Sequence, residues 1–147
     1  MSAGLETNRA LRQVPIAAEA RRTRAWLLLV GALALHVIDE ALTGFLAFYN
    51  PMVLSIRSRI GWFPMPTFSF GMWLGGLIAL IIVLASLAPV VHRGGTAIRI
   101  VTAVFAVLMF LNGLGHLGGS LYFSRWLPGA TSAPLLLAAS VLFIRAT

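Results

Sequence analysis

Two carboxylates and a histidine interrupt the apolar run that extends from Ala25 to Tyr49: His36, Asp39 and Glu40. On a helix they fall at i, i+3 and i+4, hence on one face, and Thr43 continues that face one turn on. The chain has four acidic residues, and two of them are here. An ionisable group at bilayer depth costs at least ~2.5–3.5 kcal/mol. A sequence that keeps three within five positions must satisfy them with a metal ion, a proton or one another. A later apolar run carries a second polar pair, Asn112 and His116, at i and i+4.

The chemistry open to these groups is limited. There is no cysteine, so thiolate sites and disulfides are excluded and any metal must take nitrogen and oxygen ligands. Two histidines and two carboxylates suit one divalent ion, Zn²⁺, Mn²⁺ or Fe²⁺. His36, Glu40 and His116 are the candidate metal ligands. Asp39, Glu40 and Asn112 are the candidate catalytic residues, with Asp39 as general base or further ligand and Asn112 orienting water or substrate. Two other readings stay open. The same groups can relay protons or ions, or they can pair, His36 with Glu40 and His116 with Asp39, and only fix helix register.

The elements that must position these groups follow from composition. The chain has 147 residues, of which 59% are hydrophobic and 10% charged, against ~45–50% and ~25% in a soluble domain. The apolar residues fall in four blocks, near 25–49, 67–91, 97–123 and 133–144. This pattern predicts an all-α integral membrane bundle of four transmembrane helices. The fourth block, nearer ~15 residues, is short for a span. Residues 1–24 read as a basic cytoplasmic tail and 25–147 as a single transmembrane domain. Arg21-Arg22 followed by apolar residues also mimics a twin-arginine signal, but the run continues to Tyr49, which is span length.

Net charge is +7, and every basic residue is arginine. The arginines flank the apolar blocks rather than forming one stripe, so they read as topology signals and contacts with anionic lipid, not as a nucleic-acid surface. With the N-terminus inside, eight arginines are cytoplasmic and three, Arg57, Arg59 and Arg125, are outside. The bias predicts an inner-membrane protein with both ends in the cytoplasm.

Residues 50–66 mix Ile56, Ile60, Trp62 and Phe63 with Arg57 and Arg59. They predict a short interfacial helix between spans one and two, anchored by Trp62 and able to cap a site below it. His92-Arg93-Gly94-Gly95 predicts a tight turn that makes spans two and three antiparallel neighbours, with His92 solvated. Gly115 and Gly119 form a small-xxx-small pair for close helix approach, and Gly71 and Gly75 are read the same way. Helix rise places Asp39 and Glu40 roughly 21–23 Å above the start of span one, and Asn112 and His116 roughly 22–29 Å above the start of span three. The two polar sets are therefore expected to meet in the outer half of the bilayer.

His36-x-x-Asp39-Glu40, then Asn112-x-x-x-His116, then Pro128-Gly129 resembles the HXXEE family of bacterial membrane proteins, over about Leu28 to Phe143. The resemblance implies a polytopic fold with a polar intramembrane site and supplies no substrate. The chain departs from the family's pattern at Asp39, where the family has Glu, and the shorter side chain weighs against ligation by residue 39.

The reading drawn from the sequence is a small intramembrane metal-dependent hydrolase acting on a hydrophobic, lipid-like small molecule. The alternatives are a proton- or ion-coupled carrier and a non-catalytic membrane subunit. Reporter fusions at the N- and C-termini should both give cytoplasmic signals; a periplasmic C-terminus would mean that the fourth block does not cross.

Overall fold

The structure is a computed structural model that describes residues 2–147, with side chains from Ala17 onward. The side chains of Arg9 and Arg12, part of the expected basic tail, lie outside the described residues. Six helices follow in order: α1 (Ser2–Thr43), α2 (Phe45–Ile60), α3 (Phe70–Ser86), α4 (Ala88–Arg93), α5 (Thr96–Tyr122) and α6 (Ala133–Ile144). There is no strand among the described residues.

Among the described residues, three stretches are long and apolar enough to cross a membrane: Ala17–Thr43, Phe70–Arg93 and Thr96–Tyr122. Helix α6 is apolar but has only 12 residues, ~18 Å of rise against a hydrocarbon core of ~30 Å. The bundle turns apolar side chains outward, Ile78 and Ile82 on α3 and Val104 and Leu111 on α5 among them. That is the surface a helix facing hydrocarbon requires.

The first apolar run does not form one helix to Tyr49. It breaks at Gly44, whose φ of 79° is left-handed and open to glycine at little cost. Thr43 Oγ1 donates back to the Asp39 carbonyl at 2.6 Å in the turn before the break. Tyr49 therefore belongs to α2, which spans Phe45–Ile60, so it both starts and ends earlier than the expected 50–66 stretch and stops at Gly61. A second break, at Leu87, divides α3 from α4, because Pro89 in the first turn of α4 has no N–H for the preceding helix.

Gly94 and Gly95, with φ of 75° and 122°, make the expected tight turn into α5. Beyond the turn the two spans part, contrary to the sequence expectation: α3 packs on α1, while α5 packs chiefly on α6. Helix α1 is the central element and also packs on α4 and α6. Its inner face carries Trp26, Leu29, Leu33 and Val37, all buried. Trp26 joins the elements: its ring meets Phe105 of α5 at 5.7 Å and Phe143 of α6 at 5.3 Å. Its indole N–H donates to the Leu84 carbonyl of α3 at 2.9 Å, so the polar atom of this buried ring is satisfied.

The glycines work differently from their spacing. The close approach of α5 and α6 is at Gly113, where a Cβ would stand 3.0 Å from Leu137 Cγ and 3.2 Å from the Ala133 carbonyl. Gly119 lies against Leu127, but Gly115, Gly71 and Gly75 have nothing within 4 Å. These three do not mark helix contacts within the chain.

Arg22, expected only as a tail charge, is buried at 4% exposure. Its Nε donates to the Val91 carbonyl at 2.9 Å and its Nη2 to the His92 carbonyl at 2.8 Å. It thus caps the free carbonyls, and the negative dipole end, of α4. His92 beside it is exposed, as expected, and its Nδ1 lies 3.1 Å from Thr23 Oγ1 and its Nε2 4.0 Å from Glu19. Arg22→Ala should lower stability by ~1.5–3 kcal/mol, the worth of charge-assisted hydrogen bonds with their acceptors left buried. Arg21→Ala, at an exposed position, should be neutral. Thermal unfolding in mild detergent compares them, and equal shifts would remove the capping role.

Candidate metal centre

Helix α1 turns His36 and Glu40 inward, at 1% and 5% exposure, and α5 brings His116 to them at 9%. Glu40 Oε1 lies 3.2 Å from His116 Nε2 and 3.7 Å from His36 Nε2. The two imidazole rings meet edge to face with centroids 4.7 Å apart. The expected convergence of the two polar sets is therefore present, at Glu40 and His116.

The far nitrogen of each histidine is held by the connection from α5 to α6. Ser120 Oγ donates to the His116 carbonyl at 2.7 Å and accepts from the Leu127 N–H at 3.0 Å, which folds the chain back over the ring. The Pro128 carbonyl then stands 2.6 Å from His116 Nδ1. A carbonyl only accepts, so Nδ1 carries the proton and the Nε2 lone pair faces Glu40. His36 is fixed in the same sense. Its Nδ1 is 2.8 Å from Ser132 Oγ, and that hydroxyl donates to Asp39 Oδ2 at 2.8 Å. The hydroxyl proton is committed to the carboxylate, so His36 Nδ1–H is the donor to Ser132 and the His36 Nε2 lone pair is free.

Two Nε2 lone pairs and a carboxylate oxygen thus converge in an apolar interior. His36 Nε2 is buried and has no hydrogen-bond partner. The three ligand atoms all lie within 4.8 Å of one another. Donors ~2.1 Å from a tetrahedral ion are ~3.4 Å apart, which the Glu40 distances straddle. A proton on His116 Nε2 would satisfy the His116–Glu40 contact but would leave His36 Nε2 orphaned. A divalent cation satisfies all three atoms. Histidines that ligate a metal characteristically donate their other N–H to a carbonyl or toward a carboxylate, which both do here.

Asp39 is not in this group. Its Oδ2 accepts from both the N–H (2.9 Å) and the Oγ of Ser132, so it orients His36 through Ser132. Asn112 is exposed to the cavities that flank the site. One, of about 300 Å³, is lined by His36, Glu40, Tyr49, Met109 and Asn112 among others. The other, of about 330 Å³, is lined by Asn112, His116, Phe48, Met52 and Phe123 among others. Helix α2 covers both: Phe45 packs its ring on His116 (5.9 Å), Tyr49 (5.3 Å) and Trp73 (5.7 Å). The cover is tied down by Asn50, which exchanges hydrogen bonds of 2.9 and 3.1 Å with the Phe68 backbone, and by Tyr49 Oη donating to the Pro66 carbonyl.

Ser132, Ser120 and the Pro128 carbonyl carry much of this arrangement, and sequence reasoning passed over these roles. Ser132 ahead of Ala133-Pro134 and an apolar run is a helix-start signal, but that signal says nothing of its bond to Asp39, 93 residues away.

The fold and site define a class: an all-helical protein with membrane-length apolar helices and a buried His/Glu/His group able to hold a metal ion. No family model, no curated protein and no solved structure matches the chain, and the functional reading rests on the geometry.

Gly129 has a φ of 83°, and a Cβ on it would stand 2.8 Å from the His116 ring and 3.0 Å from Glu40 Cγ. Gly129→Ala should therefore destabilise the protein by ~1–3 kcal/mol through backbone strain and overpacking. Gly118→Ala, with nothing within 4 Å, should not. Thermal unfolding of the pair checks the cradle; a Gly129→Ala variant as stable as wild type would remove it.

Proposed function

We propose that this protein is a metal-dependent hydrolase of a bacterial cytoplasmic membrane, acting on a lipid-like substrate, and that it belongs to the HXXEE family. The observation that carries the metal reading is the orphaned His36 Nε2 facing Glu40 and the His116 lone pair. His36, Glu40 and His116 would hold one divalent ion, Zn²⁺, Mn²⁺ or Fe²⁺. Three protein ligands and a free position is the pattern of catalytic rather than structural zinc. When bound, such an ion polarises a carbonyl or phosphoryl oxygen and lowers the pKa of water.

The chain's own residues supply the rest. Asp39 and Ser132 set the His36 tautomer, and Pro128 sets that of His116. Asn112, on the wall shared by both cavities, is placed to orient a polar group of the substrate. Phe45 and Tyr49 limit water, while the apolar cavity walls suit a hydrocarbon chain. Ser132 and His36 also touch as a nucleophile and base would. That arrangement is disfavoured because the hydroxyl proton goes to Asp39, and Glu40 at 3.7 Å is beyond hydrogen-bond reach of His36.

In the membrane, α6 is the fourth span and α2 the interfacial helix. Support for the first is that Ser132, at the start of α6, bonds Asp39 near the end of α1, while Phe143 at its other end packs on Trp26. Support for the second is the mixed surface of α2, with exposed Leu54 and Ile60 beside Arg57 and Arg59. A carrier needs a polar path onward through the bundle. Below His36 the inner face of α1 is Leu33, Leu29 and Trp26, which weighs against it. A subunit that keeps its polar face for a partner would expose His36 and Glu40, which are buried.

Elemental analysis of protein purified without chelator tests the reading. Wild type should carry about one divalent transition metal per chain, and Glu40→Gln should lose it while remaining folded and inserted. Ser132→Ala should weaken metal affinity by roughly 10–100-fold, the usual effect of removing a ligand's hydrogen-bond partner. Metal-free wild type would sink the hydrolase. If Glu40→Gln also raised thermal stability, the carboxylate would be a strained buried charge and proton handling the better reading.

A further inference from the structure

A groove of about 520 Å³ opens between the first part of the α1 span and the end of α6, lined by Arg21, Arg24 and Arg145 and, further along the helices, by Ala25, Leu28 and Leu142. We propose that it binds the headgroup of an anionic phospholipid of the surrounding bilayer, with the phosphate among the three guanidiniums and an acyl chain along Leu28 and Leu142.

The spacing builds such a site from two helices. Arg21, Arg24 and Leu28 lie at i, i+3 and i+7 on one face of α1, and Leu142 and Arg145 at i and i+3 on α6. The other arginines with described partners are already engaged. Arg22 caps α4, Arg57 donates to the Phe63 and Met65 carbonyls, and Arg125 sits over the Phe48 and Phe123 rings. Among the described residues, Arg21, Arg24 and Arg145 form no salt bridge with a carboxylate. Like charges gathered on one groove repel unless an anion lies between them. Guanidinium forks match phosphate oxygens, and the change from basic to exposed apolar lining along the two helices matches a phosphodiester on a hydrocarbon chain better than a free anion. The groove lies ~24 Å along α1 from Glu40, so the proposal is independent of the metal reading.

Native mass spectrometry of detergent-solubilised full-length protein titrated with phosphatidylglycerol, phosphatidylcholine or inorganic phosphate provides the test. Wild type should retain phosphatidylglycerol in preference to phosphatidylcholine. Arg24→Gln/Arg145→Gln should weaken that binding about 25-fold, roughly fivefold per arginine. The charge-matched Arg93→Gln/Arg99→Gln should change it less than about twofold, since only the groove is altered in the first pair. Should the groove double variant fail to fold, Arg145→Gln alone, at an exposed position, should still lose about fivefold. Equal loss in both double variants, no preference between the two lipids, or displacement of the lipid by millimolar inorganic phosphate would each overturn the proposal.

Discussion

A buried carboxylate must find polar partners within reach, and Glu40 imposes that condition on the bundle. It sits on α1 with its oxygen between two histidines, one on its own helix and one on α5. An unpaired charge there would cost several kcal/mol. The approach of α5, the turn-back of the chain over His116 and the start of α6 beside Asp39 can all be read as consequences of meeting that requirement.

The segment from Phe123 to Ser132 is where this demand is met. It contributes few side chains to the site and mostly backbone: the Pro128 carbonyl for His116, the Ser132 N–H for Asp39 and the bare Cα of Gly129 between them. Backbone groups suit this work because they hold fixed donors and acceptors and need no ionisation of their own. Helix α6, too short to cover the hydrocarbon core by itself, is anchored at its start by Asp39 and near its end by Trp26. Its apolar face, with Leu136, Ala139 and Phe143 buried, fills the space between α1 and α5.

The apolar section of α1 is bounded on both sides by polar contacts across the bundle. Before it Arg22 closes α4; after it His36, Asp39 and Glu40 gather α5 and α6. Trp26, Leu29, Leu33 and Val37 separate them. In a medium that offers no water, contacts of this kind fix helix order and height, which apolar packing alone specifies weakly. The chemistry proposed on one side of that section and the lipid contact proposed on the other share a single helix.

The sequence by itself determined the all-helical, membrane-type class, since no soluble core needs so much apolar sequence in blocks of span length. It also marked His36, Glu40 and His116, because ionisable groups in apolar runs are costly enough to be informative singly, and their spacing along α1 and α5 set their height. It ranked Glu40 above Asp39 as a ligand, but it could not show where Asp39 goes instead: both lie on one helical face, and only the position of Ser132 turns Asp39 away from the histidines. Nor could it find the break at Gly44, the parting of α3 from α5, or the contact at Gly113 in place of Gly115. Helix periodicity reports which face is polar, not which neighbour that face meets. The choice of neighbour is made by loops and by long-range backbone hydrogen bonds, which leave no periodic trace in the chain, and only the tertiary structure decides it.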